Sequence, residues 1–280
     1  SLYPHMEISI NKARIGNSIF NNMKLSSFKS RDGMTLDQLS FQNKNLSMNA
    51  SGKWANISGN QITFFDGNFS SNNFGKSLQK LGYRDIIKRG KLNSRMIGQW
   101  KGSPDLFSLE NFAGNITVSM TDGEFLQIQK ETKVIGQLLG LFSIASLQKR
   151  LSLDFSDFFS SGLSFDKMNG EFLFEKSIAS VNNLNLSGTF GEMNISGTSN
   201  IKQQTHDQKL TYIPDLSSMS LISGTLLGGP IGAVASIFYD KVLKEIGIDT
   251  NELAAVEYTI KGSWKNPEIN LVETFKPIKN

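Results

Sequence analysis

Asp154 and Asp157, three apart in the run DFSDFF, are the pair best suited by type and spacing to acid–base chemistry. Carboxylates three apart share a helix face and can divide the roles of proton donor and acceptor. Nothing else in the sequence converges on them. There are only two histidines, His5 and His206, far apart and without ligand spacing, and there is no cysteine. Disulfides, thiolate zinc sites and cysteine nucleophiles are thereby excluded together, and a histidine metal site is not expected. Asp154 then reads as an N-cap or first-turn acid of a short helix. Gly75-Lys76-Ser77 has the look of the end of a phosphate-binding loop, but Ser70 stands where that loop requires its first glycine. No Gly-x-Ser-x-Gly elbow occurs, and no histidine is available beside a candidate serine. The expectation is a chain with no catalytic residue, no metal and no cofactor.

What remains is apolar chemistry. Leu216 to Tyr239 is a run of 24 residues without a charge, set in a chain that otherwise reads as polar, Asn-rich strand. A helix of that length spans about 30 Å of hydrocarbon, but Gly228, Gly229 and Pro230 interrupt it, so two short helical pieces are expected. Leu221, Leu226, Leu227, Ile231, Val234, Ile237 and Phe238 are the residues expected to meet lipid or to cap an apolar groove. Gly224, Gly228 and Gly232 give two small-xxx-small spacings that allow close helix approach. Two further stretches have helical spacing. Phe74, Leu78, Leu81 and Ile86, with lysines between them, make a short amphipathic helix before Gly90. Val134 to Gln148 is 15 uncharged residues, too short to span, followed by Lys149 and Arg150.

The elements that position these segments are strands. Period-two alternation dominates: in VEYTIKGSW, Val256, Tyr258 and Ile260 point one way and Glu257, Thr259 and Lys261 the other. Val181, Leu184, Leu186, Met193, Ile195, Leu210 and Tyr212 mark apolar positions on three successive strands separated by turns such as Thr189 to Gly191. The fold expected is mainly β with a few helices: an elongated, curved antiparallel sheet forming an apolar groove, an open or incomplete barrel, closed by short amphipathic helices. These ten positions, from Val181 to Ile260, are the expected groove lining. Trp54, Trp100 and Trp264 fall in or at the end of strands, where packing is the usual role.

Composition agrees. An apolar fraction of 39% in 280 residues supplies a core, and 29 basic against 25 acidic residues gives a mild +4 that makes no case for nucleic acid. Lys76, Lys80, Arg84, Lys88, Arg89 and Lys91 gather in one segment, and such charges beside apolar helices suit anionic lipid headgroups. Residues 1–5 precede the first methionine and are expected to be a cloning remnant. Residues 6–280 are expected to be one elongated domain, with a repeat-like part at 6–98 and a second part at 99–280. The repeat is an echo between Gly52–Phe69 and Gly98–Phe125, each a tryptophan strand running into a strand that ends Asp-Gly and is followed by a helix.

Four ordered runs over the second part carry a resemblance. WKGSPDLFSLENFAGNITVSMTDGEFL, LLGLFSIASLQKRLSLDFSDFFSSGLSFDKMNGEF, LLGGPIGAVASIFYDKVL and VEYTIKGSWKNPEINLV are similar, in order and spacing, to the C-terminal region of the AsmA-like YhdP family of bacterial envelope proteins, and FGKSLQKLGY also recurs there. Where the family has Gly-Ser-Trp-Asp-Asp-Pro, this sequence has GSWKNP from Gly262 to Pro267. The resemblance implies the periplasmic part of a longer chain anchored in the inner membrane of a Gram-negative bacterium, with phospholipid as cargo and its C-terminal end toward the outer membrane. It implies a non-enzymatic lipid-transfer segment that shields acyl chains in a β-groove. The alternative is an envelope scaffold without lipid cargo, its sheet filled by its own side chains.

Overall fold

The computed structural model describes residues 5–15, 18–80, 87–126, 163–214, 254–264 and 266–277, and the structural statements below concern these. The alternating segments become thirteen strands: β1 (Met6–Ile15), β2 (Ser18–Ser30), β3 (Gly33–Gln42), β4 (Leu46–Ile57), β5 (Asn60–Ser71), β6 (Ile87–Lys101), β7 (Phe112–Phe125), β8 (Leu163–Glu175), β9 (Ile178–Gly188), β10 (Gly191–Asn200), β11 (Thr205–Pro214), β12 (Ala254–Ser263) and β13 (Asn266–Pro277). Each pairs antiparallel with its neighbours in sequence, from β1 to β13, in a single sheet. β1 and β13 are its two edges, so the sheet stays open. Twelve interstrand gaps of about 4.8 Å make it roughly 60 Å wide.

Tight turns set this order. Ser58 and Gly59 join β4 to β5 with φ of 52° and 83°, and Lys176 with Ser177 joins β8 to β9 with φ of 51° and 63°. Positive φ at both central residues is the type I′ pattern, whose twist matches that of the strands it connects. Antiparallel order also sorts the connections: every even-to-odd turn lies at one end of the sheet and every odd-to-even connection at the other. Residues 72–86, 127–162 and 215–253 are all odd-to-even connections, so their flanking strands deliver all three stretches of helical spacing to the same end.

The first of those stretches contains the one α-helix among the described residues, α1 (Phe74–Lys80). Asn73 caps it, its Oδ1 accepting the Lys76 N–H at 3.0 Å. Phe74 and Leu78 pack against the core, as their spacing requires. Leu81 lies outside the described residues, as does Ile86, and Gly90 comes after them, beyond the helix. It sits inside β6 at φ 77°, after Arg89 at φ 57°, in an irregularity of the strand. The two Asp-Gly pairs do not end their strands either. β5 continues from Gly67 to Ser71 and β7 from Gly123 to Phe125, because both glycines remain in register with the neighbouring strands. The segment Val134–Gln148, Asp154, Asp157 and the whole of Leu216–Tyr239 lie outside the described residues. So do Leu221, Leu226, Leu227, Ile231, Val234, Ile237 and Phe238.

Candidate functional site on the inner face of the sheet

One registered row of residues crosses all thirteen strands. From β1 to β13 it runs Ile8, Leu25, Leu39, Ala50, Gly67, Met96, Ile116, Phe172, Val181, Gly197, Gln208, Ile260 and Ile269, each directly opposite the next. Gln208 is its one polar member. Since side chains alternate between faces, two parallel rows two residues away belong to the same face. One of them carries Met48, Phe69, Val118, Leu184, Ile195, Leu210 and Tyr258. The opposite face is mostly polar, with Ile97 and Leu173 exposed among its charged and amide side chains. Arg95 donates through Nε and Nη2 to the Asp66 carboxylate at 3.0 and 2.7 Å. Asn115 reaches Glu171, Lys209 meets Glu257 at 2.7 Å, and Asn194 bonds Asn185 at 2.9 Å. The bidentate arginine contact holds the Asp66 carboxyl below its usual pKa. A shallow dent of about 420 Å³ on this outer side, lined by Phe64, Asp66, Ile97 and Gln99, brings together no reactive groups.

Of the ten positions expected to line a groove, nine have described side chains, and all nine lie on the inner face. Val181, Leu184, Leu186, Met193, Ile195, Leu210, Tyr212, Tyr258 and Ile260 are buried in one core cluster with Phe172, Phe174 and Met168. Val256 is opposite Tyr212 in the register, which puts it in line with them, while its side chain is outside what is described. Tyr212 keeps its hydroxyl satisfied by donating to the Phe190 carbonyl at 2.6 Å.

Burial is uneven along the face. From β8 to β12 the side chains are closed off, with Leu184, Leu210 and Ile260 at 0% exposure, while Met96, Ile116 and Val118 on β6 and β7 are partly buried. Toward β1 the face opens: Leu25 and Leu39 are half-buried, and Ile8 and Ile10 reach 44% and 40%. Sequence reasoning placed its groove residues in the closed part and missed this open one. Ile8, Ile10, Leu25 and Leu39 carried a signal, the same alternation of apolar and polar residues. Between the two lies an aromatic run at the even-to-odd end, in which Phe65, Trp100, Phe107, Phe112 and Phe174 touch in sequence with ring centroids 5.1–6.2 Å apart. Trp100 is anchored there by its Nε1–H donating to the Ser103 carbonyl at 3.0 Å.

One polar group interrupts the closed part. β10 and β11 pair Ser199 opposite His206, and Ser199 Oγ lies 3.0 Å from His206 Nδ1. This corrects the expectation that no histidine stands beside a serine. Four turn residues, Ile201–Gln204, bring the two together. Gln208 Nε2 donates to the same Oγ at 2.9 Å, and the Trp264 ring stacks on the imidazole at 5.7 Å. Burial alone pushes the His206 pKa down to about 4. Ser199 and His206 are 1% and 4% exposed, and the amide occupies the acceptor side of the hydroxyl. The trio is therefore a hydrogen-bonded core network rather than an accessible nucleophile and base. Among the described residues no cluster of three or more His, Asp or Glu is placed to hold a metal ion. No described helix is long and apolar enough to cross a membrane.

The family model described as YhdP protein matches residues 1–269. The Escherichia coli protein named intermembrane phospholipid transporter YhdP is 23% identical over 225 residues, which is 80% of this chain. Those residues are 17% of the relative, so the chain spans only a small part of that protein's length. No solved structure matches.

Proposed function

The chain belongs to the YhdP family, and from that premise we propose that it is a non-enzymatic segment of a phospholipid-transfer conduit between two membranes of a bacterial envelope. The observation that carries this reading is the row from Ile8 to Ile269, apolar but for Gln208, across the open sheet. Exposing one CH₂ to water costs about 0.8 kcal/mol, so lifting a two-chain phospholipid into water costs on the order of 20 kcal/mol. A surface that keeps the chains dry over roughly 60 Å removes most of that barrier. The inner face takes the acyl chains and the polar outer face stays in the periplasm. The residues from Val181 to Ile260 continue the lining, and the Leu216–Tyr239 stretch meets the outer membrane. The rest of a longer, inner-membrane-anchored chain extends the path.

A second reading is favoured by a specific observation, the 0% exposure of Leu184, Leu210 and Ile260. A face filled by its own side chains has no room for cargo, and the β8–β12 part would then be a scaffold or terminus beyond the lipid path. Site-specific photocrosslinking separates the two. A benzophenone side chain is placed at Leu25, Leu39, Leu184 or Ile260, with Gln38 on the outer face as control, and bound lipid is identified by mass spectrometry. Crosslinks at all four inner positions support a conduit along the whole face. Crosslinks confined to Leu25 and Leu39 place cargo only on the open part. No lipid at any inner position rejects the conduit.

A further inference from the structure

We propose that the inner face over β6 and β7 is a walled recess in which the acyl chains of a phospholipid halt before the closed part of the sheet, with Phe107 in its side wall. The proposal deepens the lipid-transfer reading and rests on it for the identity of the cargo.

The floor follows from burial along two paired strands. The inner-facing residues of β6 run from Leu92 to Trp100, both buried, and between them Ser94, Met96 and Gly98 are half-buried. β7 repeats the pattern. Met120 and Phe112 are buried, and Val118, Ile116 and Gly114 between them are half-buried, each directly opposite its β6 counterpart. The accessible strip is four residues long on each strand, about 14 Å. With carbon atoms in contact at about 4 Å, that width takes the two chains of one phospholipid side by side.

A path that runs across the strands has its margins at the strand ends, and at β6 and β7 both margins are built up. At the odd-to-even end α1 lies against β6, where a Cβ on Gly75 would be 2.3 Å from the Ile87 carbonyl oxygen, and it sends Phe74 and Leu78 into the core that holds Leu92. At the other end the wall is the connection 102–111, ten residues where 31–32, 58–59 and 176–177 have two. It folds over the inner face: Leu109 packs on the core, and the Phe107 ring meets Trp100 and Phe112 at 5.1 and 6.0 Å. Asn111 Nδ2 donates to the Leu106 carbonyl at 2.7 Å and Ser177 Oγ to the Glu110 carbonyl at 3.0 Å, which holds the connection in place. Phe107 is still 42% exposed, so part of its ring rests on the core and part is left to meet an acyl chain. The third wall is the closed core, since Ile116 stands opposite buried Phe172 on β8. Toward β5 the described residues form no such wall, and Phe65 and Phe69 there are half-buried. A chain that slides across the strands from β1 therefore stops at β7, because the next step requires close-packed Phe172 and Leu184 to give way.

The test places an aliphatic diazirine side chain of leucine size, which adds no bulk, singly at Leu39, Met96, Ile116 or Leu184 of the full chain. The protein is incubated with vesicles of phosphatidylethanolamine and phosphatidylglycerol and irradiated, and its lipid adducts are measured by mass spectrometry. Adducts are expected at Leu39, Met96 and Ile116, with about tenfold fewer at Leu184. Phe107→Asp should cut the adduct at Met96 about tenfold and leave that at Leu39 unchanged, while Phe107→Leu retains both. Adducts at Leu39 with none at Met96 and Ile116, or an undiminished Met96 adduct in Phe107→Asp, overturn the recess and leave the transfer reading standing. Equal yields at Met96 and Leu184 overturn the halt, since cargo would then pass into the core. That comparison needs no wall variant, so it decides the matter if Phe107→Asp fails to fold. No adduct at any of the four positions rejects the transfer reading itself.

Discussion

Ser199 and His206 face each other across the β10–β11 pair with Oγ 3.0 Å from Nδ1, inside a face that is otherwise apolar. The Gln208 amide donates to the same oxygen, and burial keeps the ring neutral. A charged imidazole there would lose its water.

A pH dependence follows from the lowered His206 pKa of about 4. The unfolded chain takes up this proton near pH 6.5, before the folded one does. The stabilisation is complete above about pH 6.5, falls as pH drops toward about 4, and is then lost, by up to about 3 kcal/mol. Urea unfolding at about pH 7 and about pH 4.5 checks this against His206→Gln. The parent should lose more stability than the variant over that range, and equal losses would remove His206 as the cause.

The Ser199–His206 contact also marks what the sequence made legible and what it did not. Alternation identified Tyr258 and Ile260 because strand side chains obey period two whatever the partner strand is. It could not pair Ser199 with His206, because that contact depends on hairpin register, set by the length of the Ile201–Gln204 turn. The Phe74–Leu78 face of α1 was readable from its 3.6-residue spacing. Its end lies outside the described residues, and Ile87, 4% exposed, already belongs to β6. The Asp-Gly pairs misled: a signal that marks turns in isolation yielded to the neighbouring strands, which hold both glycines in the ladder.

Gly123 is needed for close approach. It lies opposite Phe165 in the β7–β8 pair, and a Cβ there would stand 2.3 Å from the phenyl ring. That ring is 2% exposed and packs on Phe125 at 5.0 Å, so it has nowhere to go. Gly123→Ala is expected to cost about 1–3 kcal/mol by overpacking. Combining it with Phe165→Leu should cost less than the sum of the two single changes, measured as a double-mutant cycle in urea. Additive losses would mean that the ring is not the obstacle.

Ser27 predicts the opposite sign. It is 0% exposed on β2, and its hydroxyl has no hydrogen-bond partner among the described residues. A buried hydroxyl without a partner costs about 1–3 kcal/mol of desolvation. Ser27→Ala should therefore leave the urea midpoint unchanged or raise it. A clear loss of stability would show that the hydroxyl is bonded.

The burial gradient gives the prediction that bears most on function. Leu210, at 0% exposure, should lose about 2–5 kcal/mol on truncation to alanine, whereas half-buried Leu39 should lose about 1 kcal/mol. Bound lipid reverses part of that contrast. Acyl chains lying on the open part cover Leu25 and Leu39 and leave the β8–β12 core as it was. Delipidation should then speed amide hydrogen exchange in β1–β5 while β8–β12 change little, because a ligand stabilises most the elements it touches. Leu39→Asp should fold and lose lipid, since its side chain has water to turn to, while Ile260→Asp buries a charge and should not fold. Uniform protection changes across all thirteen strands would instead mean that cargo reaches the closed core, and the open part would lose its special place in the transfer path.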